Sequence, residues 1–230
     1  MPGGGEGRGE APVWLWWSSG KDSAWSLHVL RSELRLPVTR LLTTVTAPYD
    51  RVSMHAVPTA LLRAQAVAAG VPLRELPIPA PCPNEVYERL FAEVVAEARA
   101  AGARLAFGDL FLEDVRAYRE RLLEGSGVEP VFPIWGRDTR ALAEAMVEAG
   151  LRAVLTCVDP KVLAPAFAGR SFDAALLADL PPDVDPCGER GEFHTFAHAG
   201  PMFSREIAVR VAGRVERDGF VFADVRAAGG

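Results

Sequence analysis

Lysine is nearly missing from this sequence: only Lys21 and Lys161 occur, so almost all of the 25 basic residues are arginine, a bias read as compositional rather than functional. Cysteine is scarce too. Cys82, Cys157 and Cys187 stand far apart without a C-x-x-C pair, which excludes a disulfide framework and a zinc site and fits a reducing cytoplasm. No apolar stretch approaches the ~20 residues of a membrane helix. An excess of positive charge is also lacking: the formal net charge is -5, which argues against a nucleic acid held on a broad basic face. Met1 to Pro12 has no apolar segment of the signal-peptide kind and reads as a disordered tail rich in Gly and charge. What is present suffices for a folded core. Of 230 residues 49% are hydrophobic, mean hydropathy is +0.09, and one large domain or one domain with an appendage is expected.

Strands and helices alternate through the first two thirds. Val13 to Trp17 is a short apolar run of the kind buried on both faces of a parallel sheet, and Ser23 to Leu34 reads as the helix after it. A strand over Val38 to Val45, a helix opened by Pro58 and closed by Gly70, and a strand over Leu73 to Ile78 follow. Asn84 is expected to cap a helix reaching Ala101. Arg104 to Phe107 and Val131 to Ile134 read as strands around a charged helix from Glu113 to Leu123. A helix over Thr139 to Glu148 and a strand over Ala153 to Val158 complete the series. Beyond Asp159 the grammar changes. Leu176 to Cys187 is loop-like, Phe193 to Ala197 and Glu206 to Val211 read as strands, and Asp218-Gly219 before Phe220 to Phe222 signals a hairpin. The fold class is therefore α/β, a mostly parallel nucleotide-binding layer over 13–158, with a smaller antiparallel α+β element over 159–230.

Ser18-Ser19-Gly20-Lys21-Asp22-Ser23 carries the strongest chemical signal, because it joins the first strand to the first helix. A helix N-terminus at the carboxyl edge of a parallel sheet presents backbone N–H groups and a positive dipole end to an anion. Gly20 lets the backbone approach a phosphate, Lys21 adds charge, and the Ser18, Ser19 and Ser23 hydroxyls can donate. Asp22 would repel phosphate directly, so it is expected to cap the helix or to hold a divalent cation. No Walker G-x-x-x-x-G-K-[ST] motif occurs.

This hexapeptide resembles the S-G-G-K-D-S loop of the PP-loop ATP pyrophosphatases, or adenine nucleotide alpha hydrolases, with Ser19 in place of the second residue's glycine. Further segments resemble the diphthine-ammonia ligase family within that group. They are Met54-His55-Ala56-Val57-Pro58, Leu61-Leu62-x-x-Gln65-Ala66, Phe107-Gly108-Asp109-Leu110, Ile134-Trp135-Gly136 and Cys187-Gly188-Glu189-x-Gly191-Glu192-Phe193-His194-Thr195-Phe196. The helix after Asp109 departs from the pattern. Where a Tyr-Gln-Arg element is expected it has Glu113 to Glu120, keeping Tyr118 and Arg119 without the glutamine, which leaves the acceptor open.

The resemblance implies a cytoplasmic ATP-dependent ligase that uses ATP and Mg2+, adenylates a carboxylate and releases AMP and pyrophosphate, with ammonia as nitrogen source. It implies that Ser18, Ser19, Gly20, Lys21, Asp22 and Ser23 hold the phosphates, with Asp22 at the magnesium and Gly108 and Asp109 beside the nucleotide. Lys21, Glu192 and His194 are the catalytic candidates, and Glu189, Gly191, Glu192, Arg116 and Tyr118 the substrate-binding ones. Competing structural roles stand beside these: Asp109 as a cap of the next helix, Gly188 and Gly191 as plain turn residues, and the Arg116 to Arg119 run as a solvated face. His55 and the backbones of Thr44 and Thr46 are candidates on the adenosine side. Other functions to weigh are tRNA modification on the same fold, disfavoured by the cysteines and the charge, and a sensor that binds adenine nucleotide without turnover. A homo-oligomer is compatible with all of them.

Overall fold

The computed structural model describes residues 10–46, 51–52 and 57–229. Most of the expected tail, together with Met54-His55-Ala56, lies outside the described residues. In chain order the elements are β1 Val13–Trp16, α1 Lys21–Ser32, β2 Val38–Thr46, β3 Arg51–Val52, α2 Thr59–Ala69 and β4 Leu73–Ile78. They continue with α3 Asn84–Ala100, β5 Arg104–Ala106, α4 Glu113–Leu123, β6 Pro130–Val131, α5 Thr139–Glu148 and β7 Arg152–Val158. The last are β8 Ser171–Phe172, α6 Ala174–Asp179, β9 Phe193–Ala199, β10 Val209–Arg217 and β11 Phe220–Ala227.

Five strands run parallel in the order β4-β2-β1-β5-β6, and β3 adds a short antiparallel pairing to β2. Side chains of β1 alternate between two apolar layers. Val13 and Leu15 join Leu27 and Leu30 of α1 and Leu61 and Leu62 of α2, whereas Trp14 joins Phe91 and Val94 of α3. Burial on both faces is what the unbroken apolar run of β1 encodes. Chain order reverses at β1, which lies between β2 and β5, so the carboxyl ends of these strands flank a crevice, where open α/β sheets bind ligands.

The second sheet is antiparallel, in the order β10-β11-β7-β8, with β9 on the other side of β7. Here the structure corrects the expectation that β7 closes the parallel series. An apolar strand looks the same in either sheet, and β7 pairs with β8, β9 and β11, all antiparallel. Four smaller corrections follow local chemistry. Helix α1 opens at Lys21, because Gly20 is extended and serves as the N-cap. Pro83, not Asn84, precedes the first turn of α3. The stretch expected as a loop from Leu176 contains the end of α6, which Asp173 caps by accepting from the Leu176 N–H. Strand β10 begins at Val209, later than expected, and meets β11 through Asp218 at φ 54° and Gly219 at φ 80°, the two left-handed residues of a tight hairpin turn. Among the described residues no helix is long and apolar enough to cross a membrane.

Candidate active site

A cavity of about 510 Å³ opens at the carboxyl ends of β1, β2 and β5, a size suited to a nucleotide-scale ligand. Trp16, Tyr87 and Phe107 form an aromatic wall, and Ser18, Lys21, Asp22 and Ser23 supply the polar floor. The loop between β1 and α1 owes its shape to long-range bonds. The Trp17 N–H donates to Leu42 O at 2.7 Å and Thr43 Oγ1 donates to Trp17 O at 2.6 Å. Ser19 is left-handed at φ 71°, the conformation glycine would take without strain, and its hydroxyl is buried with no hydrogen-bond partner among the described residues. Gly20 N–H donates to Ser18 Oγ at 3.3 Å, and Ser23 Oγ donates to Gly20 O at 3.0 Å.

Lys21 is fully buried. Its ammonium donates to both oxygens of Asp22 at 2.9 Å and to Cys187 O, and it faces the rings of Phe172 and Phe193 at 5.5 and 5.4 Å. Burial pulls the ammonium's pKa down, but Asp22, with Cys187 and Glu189 beside it, more than offsets this and holds the group above its ordinary value, hence charged.

Gly108 also lines the cavity and packs on the first turn of α1. A Cβ there would stand 3.1 Å from Ser26 Oγ and 3.3 Å from Ser23 N, so a larger residue would require the start of α1 to give by a few tenths of an ångström. Asp109 makes no capping bond to α4, whose N-cap is Leu112, so that structural alternative is ruled out. Instead it faces Arg119, Nε to Oδ2 3.7 Å, and Oδ2 is buried without a hydrogen bond. Burial pushes the Asp109 carboxyl up, against the opposing charge of Arg119. Arg119 is held in place by Tyr87 Oη at 2.8 Å and by the ring of Phe107.

The far wall comes from the segment after α6. Asp185 Oδ1 accepts from the N–H groups of Cys187 and Glu189, and its Oδ2 from the Thr139 hydroxyl at 2.7 Å. Glu192 Oε1 accepts from the Asp185 N–H at 3.0 Å and Oε2 from the Arg190 N–H at 2.9 Å. With its turn tied by two carboxylates, the segment presents Glu189 to the cavity, where Oε1 accepts from the Leu110 N–H at 2.7 Å. Burial, reinforced by Asp22 and Asp109, pushes the Glu189 carboxyl up to about 7. His194 lines the same wall, and burial next to Lys21 pushes it down to about 4, so its imidazole is neutral at pH 7.

The structure thus gathers Ser18, Lys21, Asp22, Ser23, Gly108, Asp109, Glu189 and His194 around one cavity, with Thr44 at its edge. Ser19 and Gly20 shape the loop without lining it. Glu192 and Gly191 do not reach the cavity, and both oxygens of Glu192 are occupied by backbone N–H groups. Arg116 stacks on Phe132 and Trp135, 4.7 and 4.8 Å from the ring centres, and pairs with Glu120, away from the cavity. Tyr118 lies in a shallower neighbouring cleft, joined to the cavity across Tyr87, Val115 and Arg119. His55 lies outside the described residues. Two residues to which the sequence assigns no role prove central. They are Gln65 and Thr195, both standing in the segments that carry the resemblance, while Arg119, weighed as a contact for an anionic acceptor or part of a solvated face, lines the cavity.

Among the described residues no group of three or more His, Cys, Asp or Glu side chains is gathered to hold a metal by itself. A magnesium ion carried by a polyphosphate needs only one or two protein carboxylates, and the unbonded Asp109 Oδ2, with the part-exposed Asp22 beside it, meets that need. Cys157 and Cys187 are buried, and burial pushes both thiols up, Cys157 to about 11, so neither is a thiolate.

Residues 138–226 match the family described as diphthamide synthase C-terminal domain. The matched part carries α5, the second sheet and the segment that delivers Glu189, His194 and Thr195, and it is consistent with the diphthine-ammonia ligase-like PP-loop resemblance of the sequence. A comparison with curated proteins gives no match.

Proposed function

We propose that this chain is an ATP-using enzyme of the PP-loop type that joins ammonia to a carboxylate. In the first step a carboxylate oxygen of the acceptor attacks the α phosphorus of ATP, the bond to the α,β-bridging oxygen breaks, and pyrophosphate departs with the electron pair. In the second, ammonia attacks the acyl carbon, a proton leaves the nitrogen, and AMP is released. The observation that carries this reading is the α1 N-terminus, with Lys21 charged and buried, aimed into a nucleotide-sized cavity where the strand order reverses.

Each residue's part follows from its surroundings. Lys21 and the first turn of α1 stabilise negative charge on departing pyrophosphate, a preorganised electrostatic role. Asp22 and Asp109 would hold magnesium, which when bound neutralises the phosphates. Glu189, with a pKa of about 7, is better matched to accepting the proton lost by nitrogen than neutral His194, which is a weak base and serves to orient. Trp16 and Phe107 offer ring faces against which adenine can pack. Three thiols without disulfide partners suit a reducing cytoplasm as the place of action.

The test is direct. The protein is incubated with ATP, magnesium, ammonia and a panel of small carboxylic acids, and pyrophosphate and AMP are measured. Equimolar release that depends on both acid and ammonia is expected. Tight ATP binding with no acid-dependent release across the panel would favour a nucleotide sensor and overturn the ligase reading.

A further inference from the structure

We infer that Gln65, which touches no part of the cavity, is the positioning residue that sets the phosphate loop in its binding conformation; this rests on reading that loop as the ATP site. Gln65 lies on α2 with its side chain fully buried. Its Oε1 accepts from Trp17 Nε1 at 2.9 Å, and its Nε2 donates to Ser19 O at 2.9 Å and to Ala197 O at 2.6 Å. An indole N–H only donates and a backbone carbonyl only accepts, so one orientation of the carboxamide satisfies all three partners and the flipped one satisfies none.

The consequence lies in the Ser19–Gly20 peptide. Ser19 O takes a second bond from the Ala197 N–H at 3.0 Å, so two donors hold this carbonyl toward α2 and β9. A trans peptide sends the next N–H the opposite way. That N–H belongs to Gly20, and it points to Ser18 Oγ, on the side where Ser18 lines the cavity. The arrangement keeps Ser19 at φ 71°, which a residue with a Cβ resists, and such strain persists only where surrounding bonds over-determine it. Gln65 supplies one of those bonds and braces Trp17 at the loop's entry. The Ser19–Gly20 peptide keeps its N–H, rather than its carbonyl, on the Ser18 side, where it orients the Ser18 hydroxyl at the cavity, because a glutamine behind it holds the carbonyl away.

Gln65→Met and Gln65→Glu separate this role from simple packing. The first removes all three bonds, and the second keeps the shape while placing carboxylate oxygens against two carbonyls. Binding of magnesium α,β-methylene-ATP is measured by calorimetry on wild type and variants, with thermal melts alongside. Both variants are expected to bind at least ~10-fold more weakly while still melting cooperatively, in keeping with the cost of small misplacements at a binding site. Adding Ser19→Gly to Gln65→Met is expected to recover most of the loss, because glycine holds a positive φ unaided. If Gln65→Met unfolds, the same comparison is made with Gln65→Glu. Lower melting temperature with unchanged affinity, or no recovery on adding Ser19→Gly, overturns the inference and leaves the ATP reading standing. Failure of wild type itself to bind the analogue overturns both.

Discussion

The hydroxyl of Thr195 accepts a 3.0 Å hydrogen bond from the backbone N–H of Lys21, across a sequence separation of 174 residues. The second sheet thereby reaches into the first turn of α1 and meets one of the N–H groups that a helix start leaves open. Thr195→Val keeps the shape and deletes the acceptor. Leaving that buried N–H unpaired is expected to cost about 1–3 kcal/mol of stability, read from urea unfolding, with weaker ATP binding alongside. Thr195→Ser should behave as wild type in both measurements.

Lys21→Ala removes the only buried cation of the loop. Pyrophosphate release is expected to fall ~100-fold or more, the scale seen when one preorganised charge-stabilising donor is lost. Turnover within twofold of wild type would place the phosphates somewhere else.

Ser19→Gly should stabilise the protein. A left-handed residue with a Cβ costs roughly 1–2 kcal/mol, while glycine's extra freedom in the unfolded chain costs roughly 0.5–1 kcal/mol, so a net gain of up to about 1.5 kcal/mol is expected. Removal of a buried, unbonded hydroxyl acts in the same direction. Thermal melts check it, and a lower melting temperature would contradict the strain assigned to this residue.

Glu189 and His194 make stability depend on pH in opposite senses. Glu189 rises from 4.5 to about 7 on folding, so between those values the unfolded chain releases a proton that the folded one keeps, and stability falls as pH rises. His194 drops from 6.5 to about 4, so between those values the unfolded chain binds a proton that the folded one refuses, and stability falls as pH drops. Glu189→Gln should therefore leave a protein whose stability climbs with pH through the acidic range, and His194→Gln one whose stability declines. Denaturant titrations at a series of pH values read both slopes. Turnover should also lose its rise around pH 7 in Glu189→Gln, since the ionised carboxylate is the base.

Glu192→Ala should behave as a folding defect. The buried Asp185 N–H loses its acceptor, at about 1–3 kcal/mol, and the part-buried Arg190 N–H loses its own at a smaller cost. Melting temperature falls, while Glu192→Gln, which keeps one acceptor oxygen, recovers part of it. Loss of activity without loss of stability in Glu192→Gln would restore a chemical role to this residue.

Much of the architecture could be read from local pattern. Helix α5 spans Thr139–Glu148 as its pattern predicts, and ends before Gly150 at φ 82°. The β1-loop-α1 unit and the Asp218-Gly219 hairpin were equally plain, because turn chemistry and apolar runs are short-range signals. What pattern could not supply was partnership at a distance. Strand β7 carries the same apolar run whichever sheet receives it. Glu189 and Glu192 sit three residues apart in one glycine-rich stretch, and nothing in their spacing tells which turns to the cavity and which is consumed by backbone. Gln65 stands in a segment that carries the resemblance, yet its part emerges only with the Ser19 and Ala197 carbonyls on its amide.

The loop between β1 and α1 takes its shape from Ser19, Gln65 and Ala197, residues far apart in the sequence. During synthesis Ser19 leaves the ribosome well before Ala197. If this loop is the ATP site, nucleotide can stabilise the fold only once β9 has emerged to join Ser19.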